Sequence, residues 1–416
     1  MRTRVFIMSI LIACLAFTPL VAQGSQEQKQ EGPVGIEFFS MKNEAQGVMG
    51  TLVDNFEKQN PDIKITQTFV PDNETVFKTR LASKDVPDVT NIFPATPFYK
   101  KVFTEGFLAD LTGQKFLDQV PEFVRKIAEA DGKDFALPVT LSIFGLYVRT
   151  DILEKYNLPK PTTYDLLISD CKALKQHGII PISFADKDTW TIGQILERLI
   201  GVINNDNDSE FKKIADGSLA VADSSTLRTF AKMMVELHEY SYDDSMAVSY
   251  DDSLADVASG KCAMFIMGSW SLGTIETSDP NIDTKLEMIP FPNPTGGETR
   301  VPINIDTAYS ISATTPHKDA CLKFLTFLSE TNNAQLYADE EKTPNIIKGV
   351  NYNVVPFKSI VDNYLNKGKI FLTPVNIWPN GLRDQLKVPA QQLYIDKNVD
   401  AFLASCGKII KDYYNK

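Results

Sequence analysis

The chain has 416 residues, 43% hydrophobic, 10% aromatic and 23% charged, a globular composition on a length that suggests two domains. Its formal net charge is −11, and residues 1–24 carry Arg2 and Arg4 but no acids, so the remainder stands at −11 − 2 = −13. A surplus of that sign argues against nucleic acid and anionic membrane surfaces as partners.

In chain order, Arg2 and Arg4 precede the apolar run Val5 to Phe17, which is short for a membrane span and reads as the core of a signal peptide over residues 1–24. Ala22 to Gly24 offers small residues for cleavage. "LIAC" (Leu11 to Cys14) offers a second reading, a lipoprotein box with Cys14 as the acylated residue, although the apolar "LAFTPLV" behind it is unusual for a lipid tether. On either reading the mature chain is exported, with residues 25–33 as a flexible leader.

Strand and helix patterns then alternate. "VGIEFF" reads as a strand, Ala45 to Asn60 as an amphipathic helix, "IKITQTF" as a second strand, Asn73 to Ser83 as a helix and "VPDVTNIF" as a third, buried strand. Such alternation predicts a mainly parallel sheet with helices on both faces, and ligands at such sheets sit beyond the carboxyl ends of the strands. That rim would hold "SMKNE" (Ser40 to Glu44) and "NIFPAT" (Asn91 to Thr96). A second unit begins near Phe135. It continues through helices at Thr162 to Gly178, "TWTIGQILERLIGVI" and "STLRTFAKMMVELHEY", and through the helix of "TPHKDACLKFLTFLSET" with Pro316 in its first turn. The cysteines beyond Cys14 (Cys171, Cys262, Cys321 and Cys406) are widely spaced within apolar patterns and read as buried free thiols. Only three histidines are present, none paired at metal-ligand spacing, so neither a metal nor another cofactor is expected.

"GKCAMFIMGSWSLG" places Trp270 just past a strand, after a break at Gly268-Ser269. Core packing and ligand contact both explain a tryptophan there.

Together these landmarks resemble the extracellular solute-binding proteins of bacterial ABC importers, in the carbohydrate-binding group that includes maltose-binding protein. The similarity rests on "FEKQNPDIKI", "VPDVTNIF" with "EGFLADLT", "FALPVTLSIFGLYVRTDILEKYNLPKPTTYDLL", "SGKCAMFIMGSWSLG" and "INIDTAYSISATTPHKDACLKFLTFLSE", in the family's order. It implies an α/β, two-lobed periplasmic-binding-protein-like fold, each lobe a sheet covered by helices and the lobes joined by hinge crossovers. It makes the lobes discontinuous: 34–140 with 306–343, and 141–305 with 344–416. Two departures stand out. "VRTD" (Val148 to Asp151) replaces a common Tyr-Asn-Lys-Asp, and "FPAT" stands where many relatives carry an acid or amide.

A sugar presents hydroxyls and apolar C–H faces, so its site needs carboxylates and amides beside flat rings. The resemblance points to Trp270, with Gly268 in its Gly-x-Trp turn, and to Trp378 as a second ring. Trp190 lies in a rim loop. Asp306 sits at the second crossover, where hinge hydrogen bonding is the alternative. Glu44 follows the first strand, with a helix-terminal acid as the alternative. Asn91 and Thr96 follow the third strand, and Asp186 and Arg383 complete the set, with solvated surface charge as their alternative. Asp88 reads as structural. The expected function is capture of a mono- or oligosaccharide by a monomeric, non-enzymatic binding protein and its delivery to the membrane permease subunits of an ABC importer. A peptide or other small solute on the same fold, and an exported glycoside hydrolase with two carboxylates across the bond, are the competing readings.

Overall fold

The computed structural model describes residues 32–70 and 73–415. The segment expected to be a signal peptide, Cys14 and most of the expected leader lie outside these residues. Nine strands form one continuous sheet: β1 (Val34–Ser40), β2 (Ile63–Phe69), β3 (Val89–Ile92), β4 (Leu137–Arg149), β5 (Ile180–Ser183), β6 (Cys262–Gly268), β7 (Leu286–Ile289), β8 (Val301–Ile311) and β9 (Ile370–Leu372). Their order is β2-β1-β3-β8-β4-β6-β5, with β7 on β4 and β9 on β8.

The sheet is mixed, which corrects the mainly parallel arrangement expected from local alternation. The β1–β2, β1–β3, β5–β6 and β8–β9 pairs are parallel. The long strands β4 and β8 run antiparallel to each other, and β3, β6 and β7 pair antiparallel to them. Both long strands are buried along their whole length, which is why they read as unbroken apolar runs without the alternation of a half-exposed strand.

Two hydrophobic cores lie on this sheet. One takes residues from Ile36 to Leu141 and from Ile305 to Ile347; the other takes Ile143 to Ile303 and Phe357 to Ile410. Along β4 the change of core falls at Ser142 and along β8 at Asn304, and these two residues are paired across the strands. A third passage is tied to β4 where Leu141 N–H donates to Pro344 and Ile346 N–H to Val139 (both 2.9 Å).

The helices form for local reasons that the sequence displays. Gln46–Gln59 buries Val48, Met49, Leu52, Val53 and Phe56 on one face. Tyr164–Gln176 is capped by the Thr163 hydroxyl, which accepts from Leu166 N–H at 3.3 Å. The helix containing Cys321 begins at Lys318, so Pro316 stands before it and not in its first turn. Asp88 is structural as expected, accepting from Glu37 N–H (2.8 Å) and the Thr315 hydroxyl (2.5 Å). Cys171, Cys262, Cys321 and Cys406 are free and buried, and burial pushes the Cys262 thiol up to about 11. Among the described residues no helix is long and apolar enough to cross a membrane.

Candidate functional site

Where the chain passes between the two cores, charged groups gather that an apolar interior would not tolerate singly. Lys42, in the loop after β1, is 6% exposed. Its ammonium donates to Asp306 on β8 and pairs with Glu341 at the end of the helix Thr331–Glu341. Burial works against the Lys42 charge, but the carboxylates of Asp306, Glu341 and Glu44 outweigh it and hold the ammonium above the usual lysine range. Glu341 also accepts from Thr343 N–H (3.1 Å) and the Thr343 hydroxyl (2.9 Å), which ties this cluster to the third passage. Burial, only partly offset by Lys42, pushes the Glu341 carboxyl up to about 7.

That shift has a sign. A carboxyl whose folded value lies above its ordinary 4.5 adds stability below that pH, and the contribution is lost as pH rises through about 7. Urea midpoints taken from pH 4.5 to 7.5 should therefore fall less in Glu341→Gln than in the parent chain. Parallel curves would rule this titration out.

Glu44, two residues on, is exposed, yet protein crowds it. Burial raises its carboxyl, Lys42 opposes the rise, and the charges of Asp306 and Asp251 add to it. Solvent reaches this side chain although protein surrounds it, and the Tyr250 hydroxyl lies within reach of the Glu44 charge, which raises its pKa. Tyr250 opens the helix Tyr250–Ser259, whose start is fixed by a capping box between Ser249 and Asp252. Its far end is held by Arg149, which donates to the carbonyls of Val257 (2.6 Å) and Ala258 (2.9 Å). The "VRTD" departure thus supplies the anchor of this helix.

An aromatic wall runs along this side. Trp190, in the first turn of the helix Thr189–Ile203, is 39% exposed and meets Tyr250 edge-on at 4.8 Å. The Tyr250 hydroxyl shares a hydrogen bond with Ser271 (2.8 Å). Trp270 itself is only 8% exposed. Its indole folds back over Gly268 so closely that a Cβ there would lie 1.9 Å from the ring, so glycine is required at that position. The ring therefore does not project into the open: the turn returns it onto the strand end.

Beneath the wall, Arg198 places its guanidinium 5.1 Å from the Phe144 ring and 5.5 Å from the Trp270 ring. Its nitrogen donates to Glu197 (2.5 Å) and to the Gln194 side chain. Burial lowers its pKa, against the favourable charge of Glu197. Arg383 reaches the same carboxylate more loosely, 3.9 Å from Glu197.

The structure therefore brings Trp190, Trp270, Gly268, Asp306, Glu44 and Arg383 into one neighbourhood, and adds Lys42, Glu197, Arg198, Tyr250 and Glu341 to those expected. One signal for the additions was present in the sequence: "ILERLIGVI" sets an adjacent acid and base inside an otherwise apolar stretch of helix. Four expected residues lie elsewhere or are closed in. Trp378 is 1% exposed, its indole N–H donates to Asn207 (2.7 Å), and its ring stacks on Phe211 at 5.2 Å. With its only donor satisfied and its face covered, it is a core residue. Asp186 is fully buried, accepting from Ser245 (2.6 Å) and facing His238 at 2.9 Å, so it is no surface charge and serves the interior of the second core. Asn91 is enclosed in β3, where its amide donates to Ala308 (3.3 Å) and braces the strand that carries Asp306. Thr96 is half-buried and donates to Phe93 (3.0 Å).

A family profile described as "Bacterial extracellular solute-binding protein" matches residues 42–335. The chain is 30% identical to the multiple sugar-binding protein of Streptococcus mutans over 78% of its length and 77% of that protein's. It is 23% identical to the melibiose/raffinose/stachyose-binding protein of Bacillus subtilis, over 83% and 81% of the two chains. Among solved structures, the solute-binding protein RafE in complex with raffinose superimposes with a TM-score of 0.84 at 22% identity, covering 91% of this chain and 99% of that one. These relatives carry the names of binding proteins and not of enzymes.

Proposed function

The chain belongs to the bacterial extracellular solute-binding protein family, and on that premise we propose that it captures an oligosaccharide between its two lobes and delivers it to the permease of an ABC importer. The observation that carries the reading is the aromatic wall: Trp190 is open to solvent and braced edge-on by Tyr250, and the Tyr250 hydroxyl in turn feels the charge of the exposed Glu44. A flat ring opposite a carboxylate suits the two surfaces of a sugar. The relatives named for multiple sugars and for melibiose, raffinose and stachyose make those sugars the first to test.

In this proposal the lobes are 34–140 with 306–343 and 141–305 with 344–416, a division supported by the two separate cores. Ligand closes them by bridging Glu44 and Asp306 to the wall of Trp190, Tyr250 and Trp270, in a hinge motion about the crossovers. The protein acts as an exported monomer and catalyses nothing, so a bound sugar is released unchanged.

Calorimetric titration of the purified protein with raffinose, stachyose and melibiose, followed by analysis of the recovered sugar, tests both halves of the reading. Binding with intact sugar is the expected result. No binding by any of the three, or cleavage products, would refute it. For the binder found, Trp190→Ala should weaken affinity about tenfold, roughly 1.4 kcal/mol. It should shift the urea midpoint little, because the ring is 39% exposed.

A further inference from the structure

We propose that Arg198 is a positioning residue of the cleft: its guanidinium fixes the planes of Trp270 and Phe144 from beneath, and Glu197 is the counter-ion that lets the cation be buried there. The inference rests on the proposed sugar site for its meaning but on the packing for its evidence. Arg198 is 3% exposed in a helix whose neighbours from Ile195 to Val202 are all buried. Its contacts span separate elements: Phe144 on β4, Trp270 in the turn after β6, and Gln194 and Glu197 on its own helix. Glu197 in turn accepts from Val375 N–H at 2.9 Å, tying in the segment before Trp378.

The strand register explains why the cation meets both rings. Phe144 and Gly268 are cross-strand partners, and Trp270 folds back over Gly268, so both rings come to the same strand end, each within reach of the guanidinium. A planar guanidinium can lie against rings in a way that an ammonium cannot. The Asp306 carboxylate lies within electrostatic reach of the same guanidinium, which links the aromatic wall to the charged floor. Stability alone is a poor reason for the pair, since a buried ion pair is commonly matched or bettered by apolar residues of similar volume. Direction is what the charges add. Arg198 fixes the ring plane against which a ligand is held.

The test uses the full chain labelled with 5-fluorotryptophan. Three tryptophans give three resonances, with that of Trp270 assigned by Trp270→Phe. The double variant Glu197→Gln/Arg198→Met removes both charges and keeps the volumes. The single variant Arg198→Lys keeps the charge but loses the plane. Raffinose is the probe in calorimetry, with urea midpoints alongside. The expected result is a double variant whose midpoint stays near the parent's, whose Trp270 resonance shifts and broadens while that of Trp378 does not, and whose raffinose affinity falls at least tenfold. Arg198→Lys should reproduce the Trp270 change, and it decides the matter alone if the double variant fails to fold. An unmoved Trp270 resonance, or parental affinity in a folded variant, overturns the proposal. If the parent chain binds none of raffinose, stachyose and melibiose, the sugar reading is what fails, and Arg198 stands or falls on the resonance; if it binds one of the other two, that sugar replaces raffinose as the probe.

Discussion

Replacing Lys42 by methionine is expected to cost about 3–5 kcal/mol of stability, the usual penalty for stripping one partner from a buried ion cluster. The ammonium sits between Asp306 and Glu341, all three being buried. Methionine fills much of the same volume, so the loss would come from two stranded carboxylates and not from a cavity. Two further results should accompany it. The loss should shrink toward pH 4.5 as Glu341, already pushed up to about 7, takes up a proton. The triple change Lys42→Met/Asp306→Asn/Glu341→Gln should recover most of the stability, because no uncompensated charge remains. Urea unfolding of the three proteins at pH 5 and 7.5 measures all of this. A single-variant loss under about 1 kcal/mol would mean that solvent already screens the cluster.

Trp270→Ala is expected to cost about 3–5 kcal/mol of stability as well, in the range of large-to-small changes in a packed core. With the ring 8% exposed, folded over Gly268 and resting on Arg198, its removal opens a cavity at the strand end and leaves the guanidinium without one of its faces. Affinity for sugar should fall too, because the ring that closes over the strand end beside Arg198 is gone. The contrast with Trp190→Ala is the informative part: the exposed ring should govern affinity alone, the folded-back ring affinity and stability together. A Trp270→Ala protein with a parental urea midpoint would return that ring to the open cleft.

That reversal marks where local sequence reading stops. The strand before Gly268 and the turn after it are visible in "CAMFIMGSW", because an apolar run ending in Gly-Ser has few alternatives. The direction of the ring is not, since it depends on the missing Cβ of Gly268 and on Arg198, which approaches from a helix about seventy residues earlier. Lys42 was hidden for the same reason. "SMKNE" is recognisable as a rim loop, but the lysine gains its role from Asp306, 264 residues away. Trp378 misled because a tryptophan near a turn resembles a rim residue until its donor is found satisfied by Asn207. Glu197 and Arg198, by contrast, were legible in principle: charges inside an otherwise apolar run of a buried helix must find partners in the interior. The antiparallel pairing of β4 with β8 lay beyond periodicity altogether, since each strand is buried on both faces and so shows no alternation to orient it.

The way the chain weaves between its two cores also bears on the timing of folding. The first core needs Tyr309, Phe324 and Ile347 as well as residues from Ile36 onward. The second closes only with segments as late as Ile410. A chain emerging from the ribosome therefore holds no complete core until most of it has been synthesised, and its decisive contacts are distant in sequence, which slows collapse to the native state. For a protein that must be threaded across a membrane before it works, such late closure keeps the polypeptide pliable during passage. A truncated product lacking its last helices would never assemble the second core, so unfinished chains would remain open to proteolysis.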